Sequence, residues 1–425
     1  MADNTKESTK ATIITIGDEL LIGQVIDTNS AFIAQSLNNI GIIVEKRIAV
    51  GDDYNNIWKA LDDAQKTSKI VVLTGGLGPT ADDITKPLLC NYFNGKMVLH
   101  EPTLQHVTYL FEQVFKKTGP LLERNKKQAE VPDVCTVLKN AVGTAPGMLF
   151  TKNDVLFFAL PGVPHEMKWI TKNHVIPIVS KKFVGETIIH KTLITMGVGE
   201  SVIAEMLVDF EAQLPSHIKL AYLPNYGMVR LRLTAVGFAA TNLESEVEYF
   251  FTQLKSIVKK IMISDKDETL EEIVGNLLNQ KKKTVGTAES CTGGYIAHLL
   301  TKKSGASSYY EGSVISYSYD VKENVLNVSN NILQEKGAVS EETVSQMANH
   351  ARKILNTDYA IAVSGIMGPN GGTSDKPVGT VWLAVCSKNE LRTNKIQLRF
   401  DRERNIQLTA NAALNMLREL IVDNP

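Results

Sequence analysis

Glu289-Ser290-Cys291-Thr292-Gly293-Gly294 sets a hydroxyl and a thiol side by side between a strand-like run, Thr284–Ala288, and a helix-like run, Tyr295–Thr301. The first turn of a helix has unpaired amide hydrogens and partial positive charge, so a side chain there faces a site that favours negative charge. Two chemistries suit that geometry: a nucleophile with a built-in oxyanion site, or a phosphate cradle. A plain Ser or Thr N-cap, with glycines for close packing, fits the same residues.

Two later loops bear on the choice. Tyr317-Ser318-Tyr319-Asp320-Val321-Lys322 follows the next predicted strand, Gly312–Tyr317, and Ser364-Gly365-Ile366-Met367-Gly368-Pro369-Asn370-Gly371-Gly372 follows Tyr359–Val363. In an open α/β sheet the loops after the strands' carboxyl ends share one edge, where ligands bind. Hydrolysing an unactivated amide needs a nucleophile, a proton acceptor and an oxyanion site. No histidine occupies a suitable position, so Ser290 with Lys322 is the economical pair, provided that burial keeps a fraction of the lysine neutral. Lys322 as an ordinary surface lysine fits the sequence too. Cys291 is a rival nucleophile, because thiols at helix N-termini ionise readily.

A second constellation lies near the N-terminus. Gly17-Asp18-Glu19-Leu20-Leu21 follows a first strand, Ala11–Ile16, and Gly75-Gly76-Leu77-Gly78-Pro79-Thr80-Ala81-Asp82-Asp83-Ile84-Thr85-Lys86 follows a third, Ile70–Leu73. Glycines after a parallel strand let the backbone approach a phosphate, and adjacent carboxylates can hold a divalent metal or orient water. A tight turn with one capping aspartate explains Asp82 or Asp83 singly, but not the ensemble. Asn140…Gly143-Thr144-Ala145-Pro146-Gly147 and Leu160-Pro161-Gly162-Val163-Pro164 are further candidate ligand-lining loops, or simple turns.

The elements that must carry these loops alternate. Ser30–Asn39 and Asn55–Lys66 read as helices, Ile42–Ile48 and Val155–Leu160 as strands. The fold class expected is α/β: two three-layer α/β/α domains with mainly parallel sheets, joined by a small α+β unit. In that unit Ile188–Met196 and Val229–Val236 read as strands, Ser201–Phe210 and Leu243–Met262 as helices. Leu270–Gln280, Thr380–Cys386 and Asn405–Val422 complete the last domain. The divisions predicted are a disordered tail at 1–10, then domains at 11–175, 188–262 and 265–425.

The 425 residues exceed one ordinary core, and a formal net charge of -1 supplies no basic excess for nucleic acid. The four cysteines, Cys90, Cys135, Cys291 and Cys386, have neither metal-ligand nor disulfide spacing. The first ten residues lack a signal peptide's apolar stretch, and no run approaches the ~20 apolar residues of a membrane span. A cytoplasmic protein with no membrane or nucleic-acid partner is the expectation.

Glu289–Gly294, Tyr317-Ser318…Lys322, Gly337-Ala338-Val339-Ser340, Ser364–Gly372 and Lys376-Pro377-Val378-Gly379-Thr380-Val381-Trp382 resemble the nicotinamide-nucleotide amidase domain that ends CinA-family (competence/damage-inducible) proteins. The resemblance implies hydrolysis of nicotinamide mononucleotide to nicotinic acid mononucleotide and ammonia, with no cofactor. By carry-over, Ser290 is the nucleophile, Lys322 its base and Tyr317 a neighbour. Glu289, Thr292, Gly293, Gly294, Gly365, Gly368, Gly371 and Gly372 would shape the substrate site. A substrate arginine belongs near the last helix. The family's Gly-Asp-Arg is Phe400-Asp401-Arg402-Glu403-Arg404 here, so Arg402 aligns best and Arg404 competes.

The N-terminal runs, over roughly 11–175, are similar to the family's MoaB/MogA-like molybdopterin-binding-type domain. That implies an ADP-ribose pyrophosphatase using a divalent metal (Mg, Mn or Co). Asp83 and Asp82 would be ligands, Asp18 and Glu19 helpers, and Gly75, Gly76, Gly78, Thr85 and Lys86 the loop. Molybdopterin binding stays open, since fold does not fix substrate. Ile218–Pro224 and Val229–Leu233 resemble the family's KH-like insert, yet Pro224-Asn225-Tyr226-Gly227 is not the Gly-x-x-Gly clamp of RNA binding. Family members look like homodimers.

Overall fold

The computed structural model describes residues 9–80, 83–114, 116, 122–183, 187–237 and 240–424, without the side chains of 240 and 241. Asp82 therefore lies outside the described residues, as does most of the expected disordered tail. The chain divides into two compact units, one of residues up to 189 with 235–246, the other of 190–234 with 247–425.

The first unit's strands are β1 (Lys10–Ile16), β2 (Ile43–Val50), β3 (Ile70–Thr74), the short pair β4 (Met97–Leu99) and β5 (Glu130–Pro132), then β6 (Thr136–Leu138), β7 (Gly147–Lys152) and β8 (Val155–Leu160). The main sheet has the order β2-β1-β3-β8-β7-β6. Its first four strands are parallel, and β7 runs antiparallel to both neighbours. Lys10 already pairs with Ile43, so the strand begins inside the segment expected to be tail.

Alternate strand residues feed two separate cores. Ile14, Val71, Leu73 and Phe157 join Ile57 and Leu61 of helix Tyr54–Thr67 on one face; Ile13, Val72, Leu156 and Phe158 join Ile33 and Leu37 of helix Thr28–Asn38 on the other. A sheet covered on both faces must read as an unbroken apolar run, and β1, β3 and β8 do. The order reverses between β1 and β3, which places the crevice of an α/β sheet at their carboxyl ends.

A four-stranded sheet of order β10-β11-β9-β12 follows, from β9 (Thr187–Met196), β10 (Ile218–Asn225), β11 (Met228–Gly237) and β12 (Met262–Ser264). Tyr226 and Gly227 both have positive φ (45° and 82°) and close the β10–β11 hairpin. The helix expected to reach Met262 spans Ala240–Ile257 instead; Met262 pairs with Thr195 of β9. Ladder bonds there outweigh the helical spacing that continues through Val258.

The second unit's other sheet is β14-β13-β15-β16-β17, from β13 (Val285–Glu289), β14 (Tyr310–Ile315), β15 (Tyr359–Gly365), β16 (Thr380–Cys386) and β17 (Leu391–Gln397). β14, β13 and β15 are parallel, while β16 and β17 are antiparallel additions. One face presents Val285, Ile361, Val363, Leu383 and Val385 to helices Leu270–Lys281 and Arg402–Asp423. The other presents Ala288, Ala360, Ala362 and Ala384 to helix Glu341–Ile354. No helix among the described residues is long and apolar enough to cross a membrane.

Candidate functional site

β13 ends at Glu289 and the chain turns sharply through Ser290–Gly294 into helix Tyr295–Thr301. Gly293 and Gly294 take positive φ (61° and 99°), which any Cβ would strain. The parallel neighbours β14 and β15 bring the loops after Ile315 and Gly365 to the same edge. Ser290's amide donates to the Val363 carbonyl at 3.1 Å, fixing the turn to β15.

Lys322 lies on the short helix Tyr319–Asn324, which Ser318 caps by accepting from the Val321 amide. Its side chain runs inward and is 1% exposed. Nζ donates to Ser290 Oγ at 2.9 Å, to the Ser316 carbonyl at 2.6 Å and to the Tyr317 carbonyl at 3.4 Å. Burial pulls the lysine's pKa down to about 8. A neutral amine can give its two hydrogens to the carbonyls and turn its lone pair to the Ser290 hydroxyl. The same burial disqualifies the rival: Cys291 is 5% exposed, and desolvation pushes its thiol up to about 12. It stays protonated and unreactive.

Glu289 was expected to touch substrate; it does not. It is fully buried, and its carboxylate accepts from the amides of Gly294 (3.1 Å), Ile296 (3.0 Å) and Ala297 (2.8 Å). Thr292 Oγ1 donates to it at 2.6 Å, so the Thr292 side chain too is structural, and only its backbone amide is left to face a substrate. The positive end of the helix is thus filled by the protein's own carboxylate. The Gly293 amide is taken by the Ser290 carbonyl, which leaves the Cys291 and Thr292 amides as the loop donors for an oxyanion. Glu289→Ala is expected to lower stability by about 3–5 kcal/mol, since it strands buried amides and hydroxyls. Urea unfolding checks this, and a loss below about 1 kcal/mol would contradict it.

The other predicted residues separate into rim and scaffold. Arg402 donates to the Gly368 carbonyl at 2.9 Å and to the Tyr317 hydroxyl at 3.2 Å, whereas Arg404 stacks on Phe400 at 3.9 Å. Arg402 is therefore the arginine brought to these loops. Tyr317 is 64% exposed and meets Lys322 only through its carbonyl, so its ring is a rim group and not part of the proton path. Gly365, Gly368 and Gly372 sit against Val381 and Val378, where a Cβ would come within 3.0 Å; at Gly371, with positive φ, a Cβ would make an ordinary contact with Ile366 at 3.7 Å. Buried Asn405, not anticipated, ties Met367 (3.1 Å) to Phe400 (2.9 Å) and so holds the glycine loop to the arginine turn. An asparagine at an otherwise apolar helix position was its one sequence signal.

In the first unit a cleft of about 150 Å³ opens at the ends of β1, β3 and β8, lined by Glu19, Asn29, Thr74, Gly75 and Gly162 among others. Several expected ligands are engaged elsewhere. Asp83 accepts from the amides of Gly78 (2.8 Å) and Thr80 (2.9 Å) and from the Thr80 hydroxyl, so both oxygens close the glycine turn. Asp18 and Asp52 each accept from the other's amide, at 3.1 and 3.2 Å. Lys86 is 6% exposed and donates to the carbonyls of Lys127, Gln128 and Glu130, each at 3.2 Å, rather than to the loop. Burial brings its pKa to about 8. Thr85 is fully buried and its hydroxyl lies against Gly76. Among the described residues no three His, Cys, Asp or Glu side chains gather as a metal site. The described residues do not fit the expected divalent ion. Glu166 was missed: it is buried, accepts from the Asn140 amide group, and desolvation raises its pKa. It lies two residues beyond Pro164, just outside the Leu160–Pro164 run that reads as a ligand-lining loop or a simple turn.

Three family models match the chain: the CinA C-terminal domain over 267–421, a probable molybdopterin binding domain over 12–181, and the damage-inducible protein CinA KH domain over 190–262. A CinA-like protein of Flavobacterium psychrophilum is 46% identical over 98% of this chain and 99% of its own length. One from Cytophaga hutchinsonii is 45% identical over 96% and 97%. The crystal structure of the competence/damage inducible protein of Agrobacterium tumefaciens is 35% identical and covers 37% of this chain and 94% of its own, with a TM-score of 0.35. On the full-length identities, the chain is a member of the CinA family.

Proposed function

We propose that the C-terminal domain hydrolyses the carboxamide of nicotinamide mononucleotide, giving nicotinic acid mononucleotide and ammonia. The observation that carries this is the buried 2.9 Å contact between Lys322 Nζ and Ser290 Oγ. Neutral Lys322 takes the hydroxyl proton as Ser290 Oγ attacks the carboxamide carbon. The oxyanion forms toward the Cys291 and Thr292 amides. Collapse expels ammonia, which receives the proton held on Lys322. Water, deprotonated by the same amine, then attacks the ester, and nicotinic acid mononucleotide leaves while Ser290 is reprotonated. Arg402 stands at the rim where a substrate phosphate would be held bidentately.

Ammonia release from nicotinamide mononucleotide by the intact chain tests the reading; no release overturns it. Arg402→Ala is expected to raise KM about tenfold, a charge-assisted contact of ~1.4 kcal/mol or more, and Arg404→Ala to change it less than about twofold. Equal effects would contradict the assignment of Arg402.

For the N-terminal domain we infer a nucleotide ligand at the β1/β3/β8 cleft, ADP-ribose being the one that the family resemblance implies. Release of AMP from ADP-ribose is the readout. No step is routed through a metal, because Asp83 already closes its own loop.

A further inference from the structure

A second cleft of the C-terminal unit lies at the opposite end of the sheet from Ser290. It has a volume of about 550 Å³ and includes Lys283, Arg352, Asn356, Asp358 and Lys388 in its walls. Lys283 and Asp358 stand at the starts of β13 and β15, and Lys388 follows the end of antiparallel β16, so all three reach the same edge. The five residues of β13 separate this edge from Ser290 by roughly 16 Å. The cleft belongs to neither the proposed amidase site nor the N-terminal crevice.

Among the described residues its charge is uncompensated. Asp358 is the one carboxylate in the lining, and both its oxygens are committed: one accepts from Lys283 Nζ at 2.9 Å, the other from the Thr284 amide at 2.9 Å. That leaves the side chains of Arg352 and Lys388 without an ion pair or hydrogen bond among the described residues. Arg352 is only partly exposed, and its Nε is buried with no acceptor. A guanidinium held by helix Glu341–Ile354 with no side-chain acceptor can offer its outer donors to an anion in the cleft.

We propose that this cleft binds a small phosphate-bearing anion, with Arg352 as its fork and Lys388 as a second cation. Two cations, one of them a planar guanidinium, suit a dianionic phosphate better than a carboxylate. The size of the cleft accommodates inorganic phosphate or a nucleoside monophosphate.

Calorimetric titration of the full chain with inorganic phosphate and, separately, with AMP tests this, with thermal unfolding as the fold control. Saturable binding is expected that Arg352→Met and Lys388→Glu each weaken at least tenfold. Arg402→Ala, which alters the catalytic rim, is expected to leave unchanged the component of binding that Lys388→Glu weakens. Within the component that Lys388→Glu weakens, AMP binding tighter than phosphate assigns a nucleotide source; equal affinities assign the phosphate group alone. Lys388 is exposed, so its substitution keeps the fold even if Arg352→Met does not. Absence of binding by either anion, or wild-type binding by Lys388→Glu and by folded Arg352→Met, overturns the proposal.

Discussion

Ser290→Ala is expected to reduce ammonia release from nicotinamide mononucleotide by about a thousandfold or more, with the fold intact. Among the described residues, the hydroxyl is the one group at the end of β13 that a buried amine contacts. Cys291 cannot replace it, because its thiol is held up to about 12 by burial. The side chain is 8% exposed, so its loss opens little space. Thermal unfolding within a few degrees of wild type, together with lost turnover, is the expected pair of results. Activity within about tenfold of wild type would remove the nucleophile from the account.

Lys322→Met is expected to abolish turnover to a similar degree while leaving the unfolding temperature unchanged or a few degrees higher. The lysine is a liability to the fold. Its pKa falls from 10.5 to about 8, so the unfolded chain holds the proton more tightly. The cost, on the order of 3 kcal/mol, is fully present below pH 8 and fades as pH rises toward 10.5. Methionine removes it but strands the Ser316 and Tyr317 carbonyls, at about 1 kcal/mol each. The balance is near zero or slightly favourable, as at other sites where activity and stability conflict. For the wild type, turnover should rise with pH and level off above about 8, since only the neutral amine accepts the serine proton. A profile that levels off near 6, or falls through 8, would contradict this role.

Much of the frame was legible because burial on two faces leaves a strong trace. β3, β8 and β16 are apolar runs bounded by glycine or proline, and those runs fall where the strands are. β17 left no trace: its residues, Leu391–Gln397, form a largely exposed edge strand with no apolar alternation. At the site, residue types and loop positions were enough to bring Ser290 to Lys322. They could not say which way a carboxylate turns. Glu289 is at the end of a strand in an apparent ligand loop, yet it turns inward to fill its own helix terminus. Asp83 likewise turns onto the glycine loop rather than outward. Both are acidic groups beside unpaired amides, and a neighbouring amide competes with any ligand for them. Asn405 left only the trace of a polar residue on an apolar helix face, since the contact that gives it a role, to the Met367 carbonyl, is distant in sequence.

An ester between Ser290 and the substrate is the intermediate the mechanism requires, and hydroxylamine intercepts such esters. Turnover of nicotinamide mononucleotide in hydroxylamine should divert product to the hydroxamate in the wild type and give none with Ser290→Ala. Nicotinic acid mononucleotide as the sole product, formed at an undiminished rate, would mean that water attacks the carboxamide directly and that no serine ester forms.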